Sequence, residues 1–198
     1  MTKTFRSIVL GQIGLLVAAA LAAQPLAPAT HELLLQLDTA RSGADITLVG
    51  NLHTVKGTFR LKRGGIHFDP ATGKASGEIV FDATSGKTGN DSRDNKMNKD
   101  VIESWRYPEI VFRPTRAEGT FARAGVSTLH VYGVFAMHGA EHDVSVPVEV
   151  TFGEGAWTAK ASFQVPYVQW GMKNPSVFFF KVGDTVQVEF HAAGDLAQ

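Results

Sequence analysis

The side chains best suited to chemistry gather in a polar insert, Thr84 to Asp94 (TSGKTGNDSRD), and in two histidines four residues apart, His138 and His142. In and just beyond the insert stand Lys87, Asn90, Arg93 and Lys96, beside glycines and what reads as the start of a helix. Donors at a turn leading into a helix suit an anion. The competing use is structural, with Arg93 paired to Asp94 or another acid, and Thr88-Gly89-Asn90 serving as a turn in its own right. The histidine pair invites a metal, but it falls in a turn between strands, with only Glu141 and Asp143 as nearby acids. A metal centre needs convergent ligands, so none is assigned. His53 and His67 read as half-buried hydrogen-bonding rings. Asp91 and Asp94 form a carboxylate pair that helix capping accounts for. The chain carries no Gly-x-Ser-x-Gly elbow, no His-Glu-x-x-His and no phosphate-cradling Gly-rich Lys-Ser/Thr loop. No residue is assigned as catalytic, and the chain is expected to bind, not to catalyse.

Strands must position these groups. Apolar residues alternate at Val55-Gly57-Phe59-Leu61, Val144-Val146-Val148-Val150-Phe152, Trp157-Ala159-Ala161-Phe163-Val165 and Val186-Val188-Phe190-Ala192, each a strand with one dry face and one wet face. Weaker candidates are Leu33–Leu37, Asp45–Leu52, Gly65–Phe68, Gly77–Ala83, Ile110–Thr115 and Leu129–Met137. Turn signals at Lys62-Arg63-Gly64-Gly65, Asp69–Gly73 and Gly153-Glu154-Gly155 separate several of them. Antiparallel strands in such a row predict a closed barrel or a sandwich. Pro147, inside an otherwise clean strand, predicts an edge, a bulge or imperfect closure there. One helical segment is expected over about Ser92 to Ser104, capped by Asp91 or Ser92 and stopped by Pro108, with Met97, Val101 and Trp105 forming an apolar stripe that docks on the barrel mouth.

The 198 residues suit one domain with an apolar interior large enough to need no disulfide, and there is no cysteine. Formal charge is zero, so nothing attracts nucleic acid at long range. Lys3 and Arg6, the apolar run Ile8–Leu21 and the small-residue site Ala20-Leu21-Ala22 read as a secretory signal over residues 1–23, leaving residues 24–198 as the mature domain. The run falls short of the roughly 20 residues a membrane span needs, and without cysteine no lipidated anchor follows cleavage. Val177-Phe178-Phe179-Phe180 must expose at least one ring, which predicts either a homodimer surface or a mouth flap covered by Tyr167–Met172.

Several segments resemble the YceI-like proteins, exported bacterial lipocalin-like barrels associated with polyisoprenoid binding. They are His53–Phe59 (HTVKGTF), Gly65–Asp69 (GIHFD), Ser85–Asn90 (SGKTGN) with Arg93-Asp94, Tyr107–Phe112 (YPEIVF), and Gly133 followed by His138-Gly139. Leu35-Gln36-Leu37-Asp38, Lys96-Met97 and Val165–Gly171 depart from the family's usual pattern. The resemblance implies an all-β, antiparallel lipocalin-like barrel of about eight strands with one short helix near its mouth, working in the periplasm.

It also implies a ligand: a long isoprenoid lipid such as a polyprenyl phosphate or an isoprenoid quinone, held noncovalently and requiring no cofactor. The alternation-defined inward set expected against it is Phe59, Phe81, Phe112, Phe135, Trp157 and Phe163, with Lys87, Asn90, Arg93 and Lys96 at its head group. The same lumen would accept a fatty acid or fatty amide, and a filled barrel would instead make an interaction protein. At about 0.8 kcal/mol per buried methylene, a few isoprene units already approach the practical limit of noncovalent affinity. Tail length therefore selects weakly, and specificity falls to the head group.

Overall fold

A computed structural model describes residues 32–122 and 124–196; the predicted signal segment lies outside them. Nine strands form one antiparallel sheet: β1 (Leu33–Gln36), β2 (Gly43–Val49), β3 (Thr54–Phe68), β4 (Ala75–Asp82), β5 (Glu109–Thr120), β6 (Gly125–Met137), β7 (Ala140–Phe152), β8 (Ala156–Val165) and β9 (Val186–Asp195). The order β1-β3-β2-β9-β8-β7-β6-β5-β4, with β4 returning to β3, closes eight strands into a barrel and leaves β1 as an extra strand. β2 pairs with the first half of β3, and β1 takes the same edge lower down, from Gly65 to Phe68. The lipocalin-like barrel expected from the resemblance is the observed fold.

The predicted turn at Lys62–Gly65 is not a turn. β3 runs straight through it, with a bulge against β4 between Leu61 and Arg63. The extra residue turns Lys62 and Arg63 both outward, so the buried positions switch from Phe59 and Leu61 to Gly64 and Phe68. That parity change is what makes one long strand look like two in the sequence. β5 bulges likewise between Pro114 and Arg116, and Gly133 opposite lets the backbones meet: a Cβ there would lie 2.3 Å from the Arg113 carbonyl oxygen. Two bulges on strands flanking β4 bend the sheet into closure.

Pro147 marks the imperfect seam that its chemistry predicts. β7 pairs with β6 along its whole length, but with β8 only from Val148 to Phe152. Above Val148 the two strands part. Trp170, from the turn after β8, fills the seam by stacking on His142 of β7 (centroids 4.1 Å, planes 3° apart) beside Phe135.

The helix is shorter than predicted. α1 spans Asp91–Lys96, capped by Asn90, whose side-chain oxygen accepts from the Arg93 amide at 2.9 Å; neither Asp91 nor Ser92 is the cap. A π-turn, Met97–Val101, follows, with Ile102 donating back to the Met97 carbonyl. The wider turn breaks the four-residue stripe: Ile102 is buried instead, and Trp105 stands 72% exposed.

Candidate ligand-binding site

The strands enclose a cavity of about 760 Å³ whose lining is apolar along the barrel. Its closed end is floored by Phe68, Phe121 and Phe152, packed edge to face at 5.3 to 5.5 Å, and by buried Trp157. Trp157 fits because Gly194 has no side chain; a Cβ there would meet the indole nitrogen at 2.6 Å. Alanines at 44, 159, 161 and 192 keep part of the wall low, so the aromatic rings do not fill the interior. Phe59, Phe81, Phe112, Phe135, Trp157 and Phe163 all face this space. Met97, Val101, Tyr167 and Met172 line it as well. They come from the mouth segments, where no strand alternation points them out.

The open end is framed by α1, the β2–β3 loop and the β8–β9 segment, and the lining turns polar here at His53, Thr88, Asn90, Ser92, Arg93 and Lys96. The insert is tied to the wall: Thr58 and Lys87 exchange backbone hydrogen bonds of 2.8 and 3.1 Å, extending the sheet along the free edge of β3. Gly86 lets the insert lie close there: a Cβ would stand 2.5 Å from the Met97 methyl and 2.8 Å from the Phe59 ring, so both side chains would have to shift.

Thr88 is the knot of the insert. Its amide and hydroxyl both donate to Asp94 Oδ1 (2.8 and 2.5 Å), while Arg93 Nε donates to its hydroxyl and an Arg93 terminal nitrogen to its carbonyl (both 2.7 Å). The Thr88 hydroxyl bond lowers the Asp94 carboxyl below the ordinary carboxylate value against the opposing effect of burial. Arg93 is thus anchored without a carboxylate partner among the described residues, contrary to the predicted pairing with Asp94. Lys96 reaches only the Pro175 carbonyl, at 3.3 Å. Lys87 faces outward to Asp91 and Asp94 at 3.7 and 3.6 Å and does not line the cavity, and Asn90 spends its side-chain oxygen on the helix cap. Of the four predicted head-group residues, the geometry brings Arg93 and Lys96 to the mouth as cations with no direct ion pair among the described residues.

Several other titratable groups have structural partners. His138 bonds to Glu103 at 3.0 Å and packs on Tyr107. Arg63 and Lys62, both thrown outward by the β3 bulge, bond to Glu109 and hold its carboxyl down at about 2. Burial pushes the Tyr167 hydroxyl up to about 12, with Asp184 adding to the effect, and that hydroxyl donates to the Gly183 carbonyl at 2.7 Å.

Known proteins resemble this arrangement. The crystal structure of Burkholderia cenocepacia BcnA superposes with a TM-score of 0.66 at 20% identity, covering 80% of this chain and 99% of that one. A polyisoprenoid binding domain from Saccharophagus degradans, implicated in plant cell wall breakdown, matches with a TM-score of 0.64 at 16% identity, over 82% of this chain and 98% of that one. The Campylobacter jejuni YCEI protein matches with a TM-score of 0.53 at 18% identity, over 73% and 86% of the two chains. No curated protein matches the chain in sequence. The YceI-like domain family model matches residues 35–193, from within β1 to within β9, and the chain belongs to the YceI-like family.

Proposed function

We propose that this barrel carries a long-chain isoprenoid lipid noncovalently, tail inward and head at the α1 mouth, and performs no chemistry on it. The observation that carries the reading is the cavity itself: about 760 Å³, apolar along its length and cationic at one end. Sites for small molecules commonly enclose about 300–1,000 Å³ with a few polar groups fixing orientation. Family membership and the polyisoprenoid-binding neighbour support an isoprenoid as the class of ligand. Arg93 and Lys96, in no ion pair among the described residues, favour an anionic head such as a phosphate over a neutral quinone. The sequence features of a secretory signal support a periplasmic site of action.

Lipid mass spectrometry on protein purified from its own periplasm without detergent tests this. A stoichiometric prenyl lipid is expected. Arg93→Gln should then weaken a prenyl phosphate about tenfold or more while leaving the corresponding prenol unaffected. An empty protein that also refuses prenyl phosphates in vitro would instead make it an interaction module.

A further inference from the structure

The segment joining β8 to β9 carries a feature that the lumen does not use. Val177 and Phe180 exchange backbone hydrogen bonds of 2.9 and 2.8 Å, making Phe178-Phe179 the two-residue tip of a tight hairpin. Phe178 sits at φ +42, a conformation costly for a bulky residue. The two rings are 91% and 86% exposed, the most exposed large apolar side chains among the described residues. The predicted cover does not form, because the Tyr167–Met172 turn is occupied at the barrel seam.

The hairpin backbone is pinned from below. Asn51 donates to the Phe179 carbonyl at 2.9 Å and accepts from the Lys181 amide at 3.0 Å, while the Ser176 hydroxyl accepts from the Val182 amide at 3.0 Å. The end of β2 and the loop after it add exposed Val49 and Leu52. Exposed Lys173 and Lys181 flank the hairpin, and neither forms an ion pair among the described residues. Asp184 lies at its base, bonded to the Thr185 hydroxyl, and exposed Lys56 and Lys99 are further cations at the same end of the barrel.

We propose that this tip docks the barrel mouth onto a lipid bilayer, with the two rings in the acyl boundary and the lysines at anionic head groups. Two aromatic side chains offer about 300–500 Å², short of the roughly 800 Å² per partner of a stable protein interface. A convex tip also needs a matching hollow in a protein partner but none in a bilayer. Phe180 and Val177 line the cavity from the base of the same hairpin, so apolar surface runs from the lumen over the rim to the tip. Lysines bordering exposed aromatics complement an anionic interface. Lipid would then pass between leaflet and lumen without crossing water. That passage rests on the lumen reading above, whereas the docking does not.

Flotation of the purified protein with phosphatidylethanolamine–phosphatidylglycerol vesicles tests the proposal, alongside a Phe178→Asn/Phe179→Ser variant. Asparagine tolerates the left-handed backbone, and both sites are exposed, so the fold is preserved. Wild type should float, the variant should lose about tenfold or more in partitioning per ring, and Lys173→Gln/Lys181→Gln should weaken binding to anionic vesicles only. A wild type that stays in solution, or a variant that floats equally, overturns the docking. So does a wild-type dimer that the variant reduces to a monomer in light scattering, since a second copy would then cover the tip. Loading with a short, water-soluble prenyl phosphate, read by native mass spectrometry, should be equal in both proteins. Loading without flotation refutes docking alone; flotation without loading upholds docking and removes lipid passage.

Discussion

Replacing Ala159 with phenylalanine distinguishes a hollow barrel from a solid one by the sign of its effect. Ala159 lies on β8 between Val150 of β7 and Ala192 of β9, and its methyl faces the cavity. With about 760 Å³ available, the added ring enters void instead of displacing a neighbour. Burying a side chain of that size stabilises by about 1.5–3 kcal/mol, less a fraction of a kcal/mol to about 1 kcal/mol for fixing its rotamers. The expected net gain is about 1–2 kcal/mol, which raises Tm by about 2–8 °C in a domain of this length. In a solid core the same change would overpack and cost about 1–3 kcal/mol. The assay is thermal unfolding followed by circular dichroism on delipidated protein, because a ligand at a hundred times its Kd alone adds about 2.7 kcal/mol. Prenyl-lipid loading of the same samples should fall about tenfold or more as the ring occupies tail space. A fall in Tm would refute the hollow interior. A rise in Tm with unchanged loading would place the ligand elsewhere.

Other changes probe the mouth and the wall. Glu109, held at about 2 against its ordinary 4.5 by Arg63 and then Lys62, contributes stability that is present above pH 4.5 and lost as pH falls through about 2. Glu109→Gln should cost about 1 kcal/mol at neutral pH after screening and flatten the acid limb of urea midpoint against pH; an unaltered limb refutes the pairing. Asp94→Asn removes the charged acceptor of two Thr88 bonds and should cost about 2 kcal/mol. Faster amide exchange across the insert, ahead of the barrel, would register it. Trp170→Ala should cost about 2–3 kcal/mol and speed prenyl-lipid dissociation, followed by stopped-flow displacement; an unchanged rate would show the seam is not a route.

The barrel was largely legible because alternation is a local signal: Val144–Phe152 and Trp157–Val165 appear as β7 and β8 with the expected faces inward. Two of the failures share one cause, an added residue. In β3 it made Lys62–Gly65 look like a turn, and in the π-turn it moved burial from Trp105 to Ile102. A single inserted residue shifts every later position, yet no residue type announces it. The six aromatics were placed on the correct face, but alternation is the same for a packed core and an empty one. Hollowness is a sum over all the walls, set here by alanines contributed from three strands. At the mouth, Arg93 and Lys87 look alike in sequence, and only the fold turns one inward to Thr88 and the other outward to Asp91.

The parting of β7 from β8 above Val148 leaves the girth of this vessel undetermined along one line. Elsewhere the circumference is set by backbone ladders, and widening it would break bonds in series. Along the seam ring contacts stand where ladder bonds would: Trp170 stacks on His142 of β7, and Phe135 of β6 meets Phe163 of β8 edge to face. One proline, unable to donate a rung, thus marks the line along which side-chain packing and not the backbone holds the wall together.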